Sequence, residues 1–537
     1  MEQTKLVLVI GLTFLGLLLW EAWQRDYAVT PFPEIVAQPR PGSAHSVDQP
    51  PLNTLTNPAP AIPSSVSQLA TEVITVHSDT LELRINLLGG VIEQARLLRY
   101  PDSAHSDKSP FLMLDNSPTR FFIYQSGLKT DHESPDHQAR FQATQASYEL
   151  AQNAESITAI LRWQSPAGVL VSKEFTLHRG GYVVGVRYTI DNKTTAPWTF
   201  NHYEQLQRKS EVAKRHLINT FTGVAVSSPE QRYNKYTFEK LKDEPVNQEI
   251  KNGWAAILEH YFVSALIPSA DQTYHYYSSL IGADNYAVGY FSPALTVPPQ
   301  GQQIINSRLF LGPKLQKLLP SVAPGLELTV DYGLLWFIGK ILFWIMAKLH
   351  SLIGNWGWSI VLLTCIVKGV FFPLSAAGYR SMAKMRKVQP RLLAIRDRYS
   401  NDRARLNQSM MELYKEEKIN PLGGCLPIVV QIPVFIALYW VILESVELRD
   451  APWALWIKDL STKDPYFVLP VLMTISMWLQ SKLNPAPMDP IQARVMQFMP
   501  FAFGVFFAFF PAGLVLYWFV NNVLSITQQW FITRATA

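Results

Sequence analysis

The sequence predicts a multi-domain membrane protein: an α-helical transmembrane core of six spans, plus an all-β sandwich domain outside the membrane. Three observations carry this reading. Apolar and aromatic runs dominate from about residue 331 to 532, while the chain before them has ordinary polarity, so the near-zero mean hydropathy of +0.05 hides two unlike halves. Strict apolar–polar alternation recurs from about residue 70 to 330. One lysine, Lys368, sits inside an otherwise uncharged apolar run, Trp356 to Phe372.

Taken in order, the elements are these. Residues 1–24 form a signal-anchor helix: Lys5 precedes an uncharged run from Leu6 to Trp20, and Trp20 and Trp23 stand where interfacial aromatics belong rather than the small residues of a cleavage site. Residues 25–69 form an extended linker, with nine prolines between 28 and 68. Residues 70–330 read as the sandwich. Its strands include Glu72–His77, Thr80–Asn86, Val91–Leu97, Gly168–Leu177, Gly181–Ile190 and Gln272–Tyr277, bounded by Gly, Asn and Asp turns. Residues 331–350 carry Lys340 and Lys348 eight apart on one face, which suits an amphipathic helix lying in the interface; a membrane span is the competing reading. The helical core occupies 354–534, with spans at about 355–375, 425–444, 465–483, 494–511 and 513–532. The last two are joined at Pro511-Ala-Gly513, and a cytoplasmic helical hairpin fills 376–420.

Lys368 lies roughly 18 Å along the helix from Trp356 at a rise of ~1.5 Å per residue, well inside the hydrocarbon layer. A charge there costs at least ~2.5 kcal/mol, which favours a bundle interior or a wet cavity. Snorkelling toward the Phe372 end is the bland alternative. Thr364, four residues earlier on the same face, favours the interior. Gln431, Ser476, Gln480, Gln497, Asn521, Asn522, Thr527, Gln528 and Gln529 add uncharged polar groups to the spans, either as interhelical hydrogen bonds or as the lining of one cavity.

Charge sets the orientation. Residues 376–420 hold eleven Lys and Arg against five acids, among them Arg380, Lys384, Arg386, Lys387, Arg391 and Arg396; residues 444–464 hold three against five. The positive-inside rule puts the first loop in the cytoplasm. Both chain ends then lie in the cytoplasm, and residues 25–350 lie outside, in the periplasm of a bacterium with two membranes. Within the basic loop, Met382, Met385, Val388, Leu392, Leu393 and Ile395 form one helical stripe, interrupted by Pro390. Leu406, Met410, Leu413 and Tyr414 form a second. The charges there are either a solvated topology signal or a surface for anionic lipid headgroups or ribosomal RNA.

Enzymatic signatures are missing from the sequence. No nucleotide-binding G-x-x-x-x-G-K-[ST] loop, H-E-x-x-H or paired C-x-x-C occurs, and the two cysteines, Cys365 and Cys425, make no disulfide framework. No cofactor, metal or catalytic residue is expected. His202-Tyr-Glu204 places an acid–base pair on one strand face, with an exposed polar strand as the plainer reading. The net charge of +5 gives no reason to expect DNA.

Several segments resemble the YidC-type membrane protein insertases: Gly354-Asn-Trp-Gly-Trp358, the lysine-bearing span ending Phe-Phe-Pro373, Ser381-Met-Ala-Lys-Met385, Asn420-Pro-Leu-Gly-Gly-Cys-Leu-Pro427, Ser445-Val-Glu-Leu-Arg449, Ala454-Leu-Trp-Ile-Lys-Asp459 and Phe510-Pro-Ala-Gly-Leu-Val-Leu-Tyr517. The amino-terminal anchor and large sandwich look like the Gram-negative form. The resemblance implies a five-helix core with a hydrophilic groove in the inner membrane and a sandwich similar to galactose-mutarotase-like folds. Nascent membrane proteins, inserted alone or with the SecYEG translocon, would be the clients, and lipids the surroundings. It places Lys368, Thr364, Gln431, Tyr517 and Trp518 at the client groove. Two departures stand out. The family's groove cation is usually arginine, and the matching residue here is Lys368. Many members end in a basic tail, whereas this sequence ends Arg534-Ala-Thr-Ala537, which weakens ribosome docking. The reading is therefore an ATP-independent insertase and chaperone. A polytopic transporter or channel and a membrane-anchored periplasmic carbohydrate-binding or sugar-modifying protein are its rivals.

Overall fold

Gly89 and Gly90 turn the chain between two of the expected strands, and their carbonyls determine what fills the middle of the β-domain. Both have positive φ (77° and 58°), and a Cβ on Gly89 would lie 2.1 Å from the His137 carbonyl oxygen. The computed structural model describes residues 73–102, 109–131, 133–210, 220–399, 402–417, 419, 426–484 and 490–536. The anchor at 1–24, the linker at 25–69 and the Asn420–Cys425 part of the resemblance lie outside the described residues. The chain divides into two units. One holds 46–341 with 437–451; the other holds 1–45, 342–436 and 452–537.

In the first unit, alternation yields two sheets, of eleven and nine strands. The strand Val169–His178 buries every second residue: Val169, Val171, Lys173, Phe175 and Leu177 point inward. Lys173 shares that inward parity with four apolar neighbours. Its ammonium donates to Gly89 O (3.0 Å), Gly90 O (2.9 Å) and Ser126 O (3.0 Å), and it lies over the rings of Phe141, Phe175 and Tyr188. All three of its donors are used, and the glycine turn exists at the place that uses two of them.

His202 and Glu204 do not sit on an exposed strand. They are 1% and 0% exposed. Their strand, Trp198–Lys209, runs between Phe122–Lys129 and Asn285–Phe291, and residues 202–208 are all buried. The polar alternation therefore reports an internal network rather than a wet face. Ser307 donates to Glu204, and His202 Nε2 lies 3.5 Å from the same carboxylate. Enclosed in this way, the pair is out of a substrate's reach.

Residues 437–451 belong to this unit too. The His260 ring nitrogen Nε2 lies 2.8 Å from Leu443 O, the Tyr332 hydroxyl 3.2 Å from Ser445 Oγ, and Gln316 N donates to Glu447. Arg449 donates to Pro101 O and lies over Phe111, Tyr261 and Phe262. Ser445-Val-Glu-Leu-Arg449 thus works as a plug in the β-domain.

The helices are α1 (Trp336–Ile353), α2 (Trp356–Val370), α3 (Phe372–Arg398), α4 (Arg403–Glu416), α5 (Leu426–Glu444), α6 (Val468–Leu483), α7 (Pro490–Phe507) and α8 (Ala512–Thr536). By length and composition, Gly333–Ile353 is long and apolar enough to cross a membrane. The lysine-bearing helix is short. It ends at Val370, and α3 leaves it at 68°. Pro373 is in the first turn of α3, where its missing N–H is harmless. Pro390, expected to interrupt a helix, lies inside α3 without ending it. The two stripes of the basic loop meet: Val388 and Leu392 of α3 pack on Leu413 and Ile419, flanked by Met385, Ile395, Met410 and Tyr414.

Burial pushes the Lys173 ammonium down to about 7, with the Glu204 carboxylate acting the other way. Unfolded, the lysine titrates near ~10.4. Between these values the unfolded chain binds more protons, so β-domain stability rises with pH from about 7 to about 9.5, below the range where tyrosines titrate. Urea unfolding of the full chain followed by tryptophan fluorescence should show this rise. Lys173→Met should abolish it and lower stability by about 3 kcal/mol, because three carbonyls lose their donor.

Candidate functional site

Helix α8 carries a polar stripe through the second unit. Tyr517, Asn521, Ser525 and Gln528 follow at helical spacing and share one face; Asn522 and Gln529, seven apart, share another. The second face binds α6. Asn522 donates to Ser476 Oγ (3.0 Å), and Gln529 donates to Leu483 O (3.1 Å) and Asn484 Oδ1 (3.3 Å). The first face meets α2 and α5. Gln431 donates to the Tyr517 hydroxyl (2.7 Å), and two turns along, Lys368 Nζ donates to Ser525 Oγ (2.7 Å).

Lys368 is 7% exposed, so its side chain turns into the bundle. Thr364 is fully buried beside it, with its hydroxyl bonded to Ile360 O of its own helix at 2.7 Å. Trp518 packs edge-on against Phe435 and tilts on Phe507, and its buried indole N–H has no partner among the described residues. Asn521 Oδ1 and Gln528 Oε1 are also buried without a partner. Lys368, Gln431 and Tyr517 thus lie along one stripe, while Thr364 backs it. Ser525 was not singled out in the sequence, although its place four residues after Asn521 and three before Gln528 marks the same face.

One end of this unit is tied shut by segments far apart in sequence. Asn355 caps α2 by accepting from Trp358 N (3.0 Å) and donates to Trp453 O (3.0 Å). A Cβ on Gly357 would lie 2.2 Å from the Trp453 ring. Ala512 N and Gly513 N donate to Thr462 O (2.7 Å) and Leu460 O (2.9 Å), which pins the α7–α8 turn. Buried Asp464 accepts from Trp456 Nε1, Tyr466 N and Leu469 N. Segments that carry the resemblance, Gly354–Trp358, Ala454–Asp459 and Phe510–Tyr517, lie in or beside this closure.

The basic residues of α3 lie elsewhere. Arg380, Lys384, Arg386, Lys387 and Arg391 are exposed, and Arg396 is half-buried. Arg391 ties the hairpin with a 2.7 Å bond to Glu417, an exposed pair worth ~1 kcal/mol or less.

Two family models match. One, described as the YidC periplasmic domain, covers residues 73–345, and one described as the 60Kd inner membrane protein covers 348–537. The membrane protein insertase YidC of Thioalkalivibrio sulfidiphilus is 44% identical over 99% of this chain and 98% of its own length. The chain belongs to the YidC family of membrane protein insertases. The YidC of Aeromonas salmonicida is 46% identical over the same shares. A crystal structure of an active YidC insertase with its first transmembrane domain resolved aligns over 85% of this chain and 93% of its own, at 19% identity and a TM-score of 0.39. Membership makes the chain an inner-membrane insertase with a periplasmic domain, not an enzyme, and nascent membrane proteins its substrates.

Gly357→Val should wedge Trp453 off α2. Thermal unfolding of the purified protein should show a loss of about 1–3 kcal/mol, the usual penalty for overpacking, while Gly369→Ala, with open space around its Cβ position, should stay near wild type.

Proposed function

We propose that the Lys368 face of α8 is the groove through which a client's polar segment crosses. The observation behind this is the incomplete satisfaction of Lys368. An ammonium has three donors. Among the described residues, one bond, to neutral Ser525, serves this nearly buried charge. Such a charge without an anion or water costs several kcal/mol. Asn521 Oδ1 and Gln528 Oε1 on the same face need donors as well. Water in the groove answers all three demands, and a client carboxylate answers the first better.

In the working cycle, hydrated amides lower the transfer cost of a short polar client tail. Lys368 pairs transiently with an acidic residue of that tail. Gln431, Tyr517 and Trp518 bound the groove toward the closed end, and Thr364 backs it. Lipid burial of the client's apolar helix, at about 25 cal/mol per Å², supplies the driving force without ATP. Both chain ends lie in the cytoplasm, residues 25–350 are periplasmic, and α1 lies in the interface. Six spans cross the membrane, five of them forming the core. The SecYEG translocon is a partner for some clients, and the basic hairpin receives clients on the cytoplasmic side.

Charge-series variants in proteoliposomes test the groove. Lys368→Arg should retain insertion and Lys368→Glu should lose it. Lys368→Ala should slow clients with Asp or Glu in the translocated tail by about tenfold, the equivalent of ~1.4 kcal/mol in a barrier, and slow neutral-tailed clients far less. Equal effects on both client types would remove the lysine from the mechanism.

Removal of residues 384–415 should impair client crosslinking and insertion several-fold while the shortened protein still integrates into the membrane. Normal insertion by that variant would leave the hairpin only a topology signal.

A further inference from the structure

At the carboxyl ends of α6 and α8, beside α3, the second unit has a cavity of about 310 Å³ lined by Arg386, Leu483, Gln529, Trp530, Thr533 and Arg534. Its chemistry is sharply divided. Arg386 and Arg534 are exposed, and among the described residues neither guanidinium is in an ion pair. Arg534 lies 5.3 Å from the centre of the Trp530 ring, which is itself half-exposed. Gln529 is only 4% exposed. Its amide nitrogen is committed to Leu483 O and Asn484 Oδ1, and its oxygen is buried without a donor among the described residues.

We infer that this cavity binds the phosphate of an anionic glycerophospholipid headgroup. The two forks suit one phosphodiester. Trp530 and Leu483 give the first acyl carbons an apolar wall, and Trp is at home at this level of a bilayer. An arginine in the last turn also serves a helix dipole, but that role does not explain Arg386, which lies within α3. Basic pockets between membrane helices are a recurrent way of holding anionic headgroups. The site is separate from the Lys368 groove, and its test needs no client.

The full chain in phosphatidylcholine nanodiscs doped with photoactivatable phosphatidylglycerol should crosslink at the ends of α6 and α8. Unlabelled phosphatidylglycerol should compete, and phosphatidylcholine should not. Arg386→Gln with Arg534→Gln changes exposed side chains only. It should weaken labelling there by about thirtyfold, in line with the worth of two basic residues at a membrane surface, and Arg386→Lys with Arg534→Lys should recover part of it. Labelling spread evenly over the lipid-facing helices, or unchanged in the double glutamine variant, overturns the inference. Competition by soluble glycerol phosphate would make the cavity a free-anion site, and competition by a short RNA would make it a nucleic-acid surface. Either result overturns the lipid assignment.

Discussion

The hydrogen bond between Lys368 and Ser525 is the constraint around which the helical unit is organised. A lysine buried between helices must face something polar, and the face it meets on α8 carries Tyr517, Asn521, Ser525 and Gln528. The opposite requirement, a firm grip between helices, falls to the other polar face of α8, where Asn522 and Gln529 bond to α6. One helix therefore carries both the glue of the bundle and polar atoms left without a partner among the described residues. The closure built from Asn355, Trp453, Leu460, Thr462 and Asp464 holds one end of that arrangement rigid.

The chain buries two lysines in opposite ways. Lys173 meets three carbonyls, two of them from a glycine turn, and has no unspent donor. It is a structural rivet between strands. Lys368 meets one hydroxyl and shares its face with amide oxygens that lack donors. Burial alone would rank the two alike. Their partners separate them: the first is complete without any ligand, and the second is not.

Much of this was legible in the sequence. The strand runs and their parity follow from alternation, and the observed strands Val73–His77, Leu81–Asn86 and Val169–His178 fall where the pattern puts them. The lysine in its apolar run predicted a side chain turned into the helical bundle, where Lys368 is found, and the hairpin stripes predicted their own packing. The misreadings have physical causes. Pro390 looked like a helix break because propensity is local, yet packing of Val388 and Leu392 on α4 carries the helix past it. His202 and Glu204 looked exposed because a polar strand reads the same whether water or an internal network satisfies it. Lys173 was visible in principle, as the one charge at inward parity among Val169, Val171, Phe175 and Leu177. Ser525 is a common residue in membrane helices, and only its phase relative to Asn521 and Gln528 sets it apart.

The elbow at Phe371 has a mechanical consequence. Helix α3 runs unbroken for 27 residues from that point into the basic hairpin, about 40 Å at 1.5 Å per residue. The lysine-bearing helix joins it at 68°, with no intervening loop. A stiff rod with its pivot beside Lys368 and its far end in the hairpin is a lever. Any tilt of this rod about the elbow is magnified along its length: about 10° carries the far end roughly 7 Å, while residues at the elbow stay nearly in place.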